Sequence, residues 1–260
     1  MDDFKTKYGP WALVAGASEG LGAAFAEALA RRGLNLILIA RRLSKLEALA
    51  AEWQAKYRIE TRSYPVDLAD IEATRQFLAQ LDSVPGLLVY NAAFAPIGYF
   101  KDLSESDLQK IATVNVMGPL LLAKALSAKM IERGKGGIVL MSSLSGSQGS
   151  AKIATYAATK AFNTILAEGL WHELRGNGID VIASCAGAIR TPGYEKAKDV
   201  REAPGTMDAA SVAEKTLNAL GKGPVVVPGR MNQFFRFLMG RILPRKLAIS
   251  IMEKNTKNLS

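Results

Sequence analysis

The sequence predicts an α/β protein: one domain in which a seven-stranded parallel sheet is flanked by helices and followed by a helical tail. Two observations carry this reading. Short apolar runs rich in Val, Ile and Leu alternate with longer amphipathic segments along most of the chain. Strands that alternate with helix-length segments call for a parallel sheet with right-handed crossovers and helices on both faces. Secondly, the breaks are short glycine-rich turns such as RGKGG (133–137) and GKGP (221–224), with no linker, repeat or low-complexity run. Glycines at such positions end helices before strands.

Taken in order, WALVAG (11–16) reads as the first strand and LGAAFAEALARRG (21–33) as the first crossover helix. LNLILIA (34–40) is the second strand, followed by a helix from Ser44 to about Tyr57. IETRSYPV (59–66), GLLVYNA (86–92), GGIVLMS (136–142) and GIDVIASC (178–185) are strands three to six, each preceded by a segment of helical period, and GPVVVPG (223–229) is the last.

Composition narrows the chemistry. With 49% hydrophobic and 22% charged residues in 260, the chain has the balance of a soluble globular protein. A single cysteine (Cys185) and a single histidine (His172) exclude an intramolecular disulfide and argue against a Cys/His metal site, so no metal is expected. Ser-His and Cys-His hydrolysis would require His172 as base, and its place near a helix end in GLWHELRGNG marks a surface residue. The apolar run at the N-terminus is too short for a signal peptide, and no stretch reaches 18 uninterrupted apolar residues, so a cytoplasmic location is expected. The net charge is +9, but from Arg230 onward seven basic residues stand against one acid, a net +6, leaving +3 for the other 229 residues. The basic excess is a property of the tail and not a nucleic-acid-binding face.

Immediately after the first strand comes AGASEGLG, with Gly16, Gly20 and Gly22. Between a strand and a helix, such a turn lets backbone approach a pyrophosphate whose charge is met by free N–H groups at the helix N-terminus. Gly16, Ser18, Gly20, Leu21 and Gly22 are therefore candidate cofactor-binding residues. The spacing is G-x-x-x-G-x-G, not the commoner G-x-G-x-x-G. The second strand ends in LILIARRLSKL, with Ala40 where an acid would bind the 2′-hydroxyl of NAD, then Arg41 and Arg42. Arginine there suits the 2′-phosphate of NADP.

Residues 156–160 read YAATK, placing Tyr156 and Lys160 one turn apart on one face of an alanine-rich helix. An isolated Y-x-x-x-K is ordinary surface decoration. In company with the glycine turn it reads differently. An unaided phenol with a pKa of about 10 is a poor acid–base catalyst. A neighbouring cation is expected to lower that value by roughly 1–3 units, towards the range where acid–base catalysis is efficient.

The glycine spacing together with Tyr156 and Lys160 resembles the short-chain dehydrogenase/reductase family, and the resemblance covers essentially the whole chain. It implies a Rossmann-type doubly wound fold and a hydride-transferring activity. Ser143 in LMSSLSG, 13 residues before Tyr156, matches the family's Ser…Tyr-x-x-x-Lys triad, and Asn115 in TVNVMG matches the asparagine that completes a tetrad. By resemblance Ser143 polarises the carbonyl, Tyr156 is the acid/base, Lys160 also bonds the nicotinamide ribose, and Asn115 supports a water reaching Lys160. Asn91 in YNAA, Asp67 in PVDLA and Thr191 in CAGAIRTP match cofactor-side positions. The departures are Ala15 for a threonine, Tyr90-Asn91-Ala92-Ala93 for N-N-A-G, and Ala186-Gly187 for Pro-Gly. None touches an atom that moves in the reaction.

KYGPWALVAGASEGLG, RRGLNLILIARRLSKL and the PGRMN…RILPR tail are similar to the branch holding 3-ketoacyl reductases and 17β-hydroxysteroid dehydrogenases. The resemblance implies a lipophilic carbonyl or alcohol substrate, a mobile lid over residues 193–207, and a homodimer or homotetramer built on the helices carrying Asn115 and Tyr156. The hydrophobic anchor of membrane-bound members is not seen. Other readings stay open: a non-catalytic NADP-binding sensor or scaffold, or a peripheral membrane protein. The expected organisation is a dinucleotide-binding catalytic domain over 1–229 and a basic amphipathic extension over 230–260. Pro244 should divide that tail into two short helices. Its apolar face either packs on the domain or a partner subunit, or lies in a lipid interface with its basic residues at anionic headgroups.

Overall fold

The computed structural model describes residues 2–191 and 202–256. After a short helix α1 (Asp2–Tyr8), strand β1 (Trp11–Ala15) leads through the glycine turn into α2 (Gly20–Arg31), then β2 (Asn35–Ala40), α3 (Leu43–Tyr57), β3 (Thr61–Pro65), α4 (Ile71–Ala79) and β4 (Leu87–Tyr90). A long helix, α5 (Glu105–Ala112), continues through a π turn (Thr113–Met117) into α6 (Gly118–Arg133). β5 (Gly136–Ser143), α7 (Ala154–Leu174) and β6 (Ile179–Ala186) follow, then the short strands β7 (Ile189–Arg190), β8 (Met207–Asp208) and β9 (Val225–Val226). Local chemistry sets several ends: the Asp70 carboxylate accepts from Ala73 N at 3.0 Å to start α4, and Gly134, in a left-handed conformation, closes α6.

Seven parallel strands form one sheet in the order β3-β2-β1-β4-β5-β6-β9, as the alternation of elements predicts. β1 and β2 are almost wholly buried because helices cover both faces. Leu36, Leu38, Val14 and Val89 point to the α2 side, and Leu13, Ile37, Leu88 and Ile138 to the α6 side. The strand order turns back between β1 and β4, so their carboxyl ends open a crevice, the place where doubly wound sheets bind ligands.

Helix Glu105–Arg133 has the length and apolar composition to cross a bilayer. Here it is a core helix, with Ile111, Leu122, Leu126 and Met130 buried against the domain. The tail divides as expected: helix Arg230–Phe237 runs into a π turn (Leu238–Ile242), the chain breaks at Leu243-Pro244, and a second helix runs from Arg245 to Thr256. Asn232 anchors it. The Asn232 side chain is buried and donates to Gly205 O at 3.0 Å and Pro228 O at 2.9 Å. Arg245 Nη1 donates to Ser147 O at 2.6 Å, tying the second helix to the turn after β5. Most of the lid expected over 193–207 lies outside the described residues.

Candidate active site

The crevice is floored by the glycine turn. Gly16 has φ +82 and Gly20 φ +57, left-handed values that favour glycine. A Cβ on Gly16 would meet Ala92 Cα at 2.8 Å, and one on Gly22 would meet Gly16 O at 1.9 Å. The turn is thus folded back on itself and against the end of β4. Helix α2 begins at Gly20 with no side-chain cap and no acidic residue in its first turn, so its first amides face the crevice without a protein anion to satisfy them. That is the donor set a pyrophosphate needs, and the cradle fits a dinucleotide. Ser18 is half-buried in the turn, Leu21 is buried on its inner side, and Thr191 stands over it, its Cγ2 3.1 Å from where a Gly20 Cβ would lie.

Other cofactor-side residues have more specific roles than the sequence assigned. Asn91 acts as a strut: its Nδ2 donates to Gly16 O at 3.1 Å. Asp67 is exposed and accepts from Ala69 N at 3.0 Å, shaping the turn after β3. Arg41 and Arg42 are both exposed at the end of β2. They are not equivalent, because Arg42 Nη2 pairs with Glu19 Oε2 at 2.9 Å, whereas Arg41 makes no ion pair among the described residues.

Next to the glycine turn, β5 and α7 bring together the three residues of the expected triad. Ser143 ends β5 and is half-buried, its hydroxyl accepting from Ser145 N at 3.2 Å and near enough to the Tyr156 phenol to lower its pKa. Lys160 is buried on α7; its Nζ donates to Met141 O at 2.8 Å and lies 5.4 Å from the centre of the Tyr156 ring. Burial pushes the Lys160 ammonium down to about 8, an effect the nearby Cys185 opposes. Tyr156 departs from expectation. Burial raises its phenol to about 12, against a lowering by the Ser143 hydrogen bond. Lys160, held at the Met141 carbonyl and over the ring, does not outweigh that burial in the ligand-free site. Tyr156 is therefore a neutral proton donor at physiological pH.

The structure shows how Asn115 is held. Its side chain is fully engaged: Oδ1 accepts from Phe94 N at 2.8 Å, and Nδ2 donates to Phe94 O at 2.8 Å and Thr159 Oγ1 at 3.0 Å. Its side chain is thus committed to structure, leaving its main-chain carbonyl as the group that could meet a water. Pro119, lacking an N–H, removes the amide that would ordinarily meet the Asn115 carbonyl four residues back. Thr159, which the sequence did not single out, relays Asn115 to the catalytic helix by donating to Tyr156 O at 2.8 Å. Ser142 was also missed: it donates to Lys160 O at 2.7 Å and locks α7 to β5. Thr159 lies at i+3 from Tyr156, a spacing that could have flagged it. His172 is exposed on α7 and takes no part.

Comparison with known proteins gives the site its family. The family model "short chain dehydrogenase" matches residues 10–202. The chain belongs to the short-chain dehydrogenase family. This short-chain dehydrogenase is 31% identical over 234 residues to a 7beta-hydroxysteroid dehydrogenase of Clostridium sardiniense, a match covering 89% of this chain and 90% of the relative. It is 38% identical over 184 residues to a very-long-chain 3-oxoacyl-CoA reductase of Podospora anserina, covering 67% of this chain but only 53% of that longer protein. Among solved structures, it is 29% identical to a short-chain dehydrogenase from Sphingobium yanoikuyae in complex with NADPH, with a TM-score of 0.78 over 90% of this chain and 96% of the other. These relatives place it on the hydroxysteroid dehydrogenase and 3-oxoacyl reductase branch, among oxidoreductases that use a nicotinamide cofactor.

Proposed function

We propose that this protein is an NADP(H)-dependent oxidoreductase that interconverts a lipophilic ketone or aldehyde with its alcohol, with Tyr156 as acid in reduction and base in oxidation. The observation that carries the reading is a neutral, half-buried phenol beside Ser143 and backed by buried Lys160, next to a glycine cradle with free helix amides. The bound nicotinamide supplies or accepts the hydride. Ser143 then holds the carbonyl oxygen within reach of the Tyr156 hydroxyl, and the phenol gives up its proton as that oxygen gains charge. Lys160, buried over the ring, is the cation nearest to the phenolate so formed. A lipophilic substrate is supported by the loop after β4, which exposes Ile97, Tyr99 and Phe100. That loop is tied by Gly98 N to Lys152 O at 2.9 Å, four residues before Tyr156. The relatives' names, a steroid and a very-long-chain acyl enzyme, point the same way. A panel of steroid and long-chain ketones and secondary alcohols, followed by NADPH absorbance, tests the reading; no turnover on any of them would overturn it.

Preference for NADP rests on Arg41 and Arg42 at the end of β2. Replacing both with alanine is expected to weaken NADPH at least tenfold more than NADH, since each charged hydrogen bond contributes about 1.5–3 kcal/mol. Arg41→Ala alone should carry the larger share, because Arg42 already divides its charge with Glu19. Titrating both cofactors against the variants checks this, and equal weakening would make the arginines ordinary surface residues.

The tail supports a further part of the proposal. Its inner side packs through Asn232 and Ala248, while Phe234, Phe237, Ile242 and Leu247 are exposed alongside Arg241 and Lys246. We assign the inner side to domain packing and the outer side to a second subunit, together with Ile165, which is 66% exposed on α7. Deleting residues 231–260 is expected to impair folding, oligomerisation or turnover, read by light scattering and the ketone assay. Salt-sensitive flotation of the full chain with anionic liposomes, lost on truncation, would instead assign the outer face to a lipid surface.

A further inference from the structure

Tyr90 has no part in the proton path, yet it occupies the first position of the turn at the end of β4, where the family pattern carries asparagine. It is 1% exposed, and its Oη donates to Val114 O at 2.5 Å. The reason that carbonyl needs a side-chain donor lies in the π turn. There the Gly118 amide reaches back to Thr113 O, so it is not available to Val114, and the next residue, Pro119, has no N–H at all. Val114 O is thus left without a helical amide, and a buried carbonyl without a partner is costly. Gly118 is matched to the phenol: a Cβ there would lie 2.0 Å from Tyr90 Oη. Burial also raises the Tyr90 phenol above the usual tyrosine range, so it stays a donor throughout the working pH range.

The bond joins the two halves of the site. Tyr90 precedes Asn91, whose amide holds Gly16 O in the cofactor cradle. Val114 precedes Asn115, whose amide reaches Thr159 and through it the Tyr156 backbone. We propose that Tyr90 is a positioning residue: its hydroxyl holds the π turn at Val114 and so sets Asn115, and the main-chain carbonyl beside it, relative to Tyr156 and Lys160. This inference rests on the activity proposed above for its kinetic arm alone.

The test is Tyr90→Phe, which keeps the ring and removes the donor. On a ketone that the wild type reduces, kcat is expected to fall about tenfold, the order of one lost buried hydrogen bond. KM and the NADPH Kd should stay within about twofold, and the pH dependence of kcat should shift, which a loss of packing alone would not produce. Amide exchange across residues 113–118 should quicken, and this readout needs no substrate. If the wild type reduces no ketone, the proposed activity fails while the exchange result still decides the role of Tyr90. Unchanged kcat, pH profile and exchange in a folded variant would overturn the inference. Should Tyr90→Phe not fold, Gly118→Ala displaces the hydroxyl from the other side, and the same readouts decide.

Discussion

Tyr156→Phe is expected to lower kcat by about a thousandfold, the range of a lost general acid, while the NADPH Kd stays within a few-fold. The substitution deletes one oxygen and leaves the ring against which Lys160 rests, 5.4 Å from its centre. Cofactor contacts should survive, since the cradle is made by Gly16, Gly20, Gly22 and the α2 amides, none of which touches the phenol. Steady-state assays and NADPH fluorescence titration measure the two quantities separately. Most of the activity surviving in Tyr156→Phe would end the mechanism, because the phenol is its proton donor. Loss of NADPH binding together with turnover would instead mean that the phenol organises the cradle.

The second large effect has opposite signs for activity and stability. Lys160→Met should abolish most turnover and yet make the ligand-free protein more stable at neutral pH. Burial lowers the Lys160 ammonium to about 8, so below that pH the folded state carries a buried charge at a cost of about 3 kcal/mol, at 1.36 kcal/mol per unit. Methionine removes that cost but forfeits the charged bond to Met141 O, worth about 1.5–3 kcal/mol. A net gain of about 1 kcal/mol corresponds to a Tm roughly 2–3 °C higher. The pH dependence follows from the same shift. Between about pH 8 and the ordinary lysine value of about 10.4, the unfolded chain holds a proton that the folded chain has released, so wild-type stability should rise with pH across that window. In Lys160→Met this contribution should vanish. Calorimetry of both proteins at pH 7 and pH 9.5 is the measurement; a destabilised Lys160→Met at pH 7 would show that the ammonium is well solvated or well paired. The expected pattern is that of a residue kept for chemistry at the expense of stability.

Much of this was legible along the chain. The alternation of apolar and amphipathic segments sets the seven parallel strands, because period and length are local properties of a chain. The strand–turn–helix setting of Gly16, Gly20 and Gly22, the i, i+4 pairing of Tyr156 with Lys160, and the two arginines closing the second strand are equally local, and so were readable. The tertiary structure alone decided what depends on residues remote in sequence. Tyr90 and Val114 meet across 24 positions and Asn115 and Thr159 across 44, and no periodicity announces such contacts. It divided Arg41 from Arg42 by bringing Glu19 to one of them. It made the Asn115 side chain a strut, because Phe94 and Thr159 use its whole amide. It also reversed the expected shift of the Tyr156 phenol. A sequence shows that a cation lies one turn away, but a pKa answers to burial and to where that cation is held, and both are properties of the packed site.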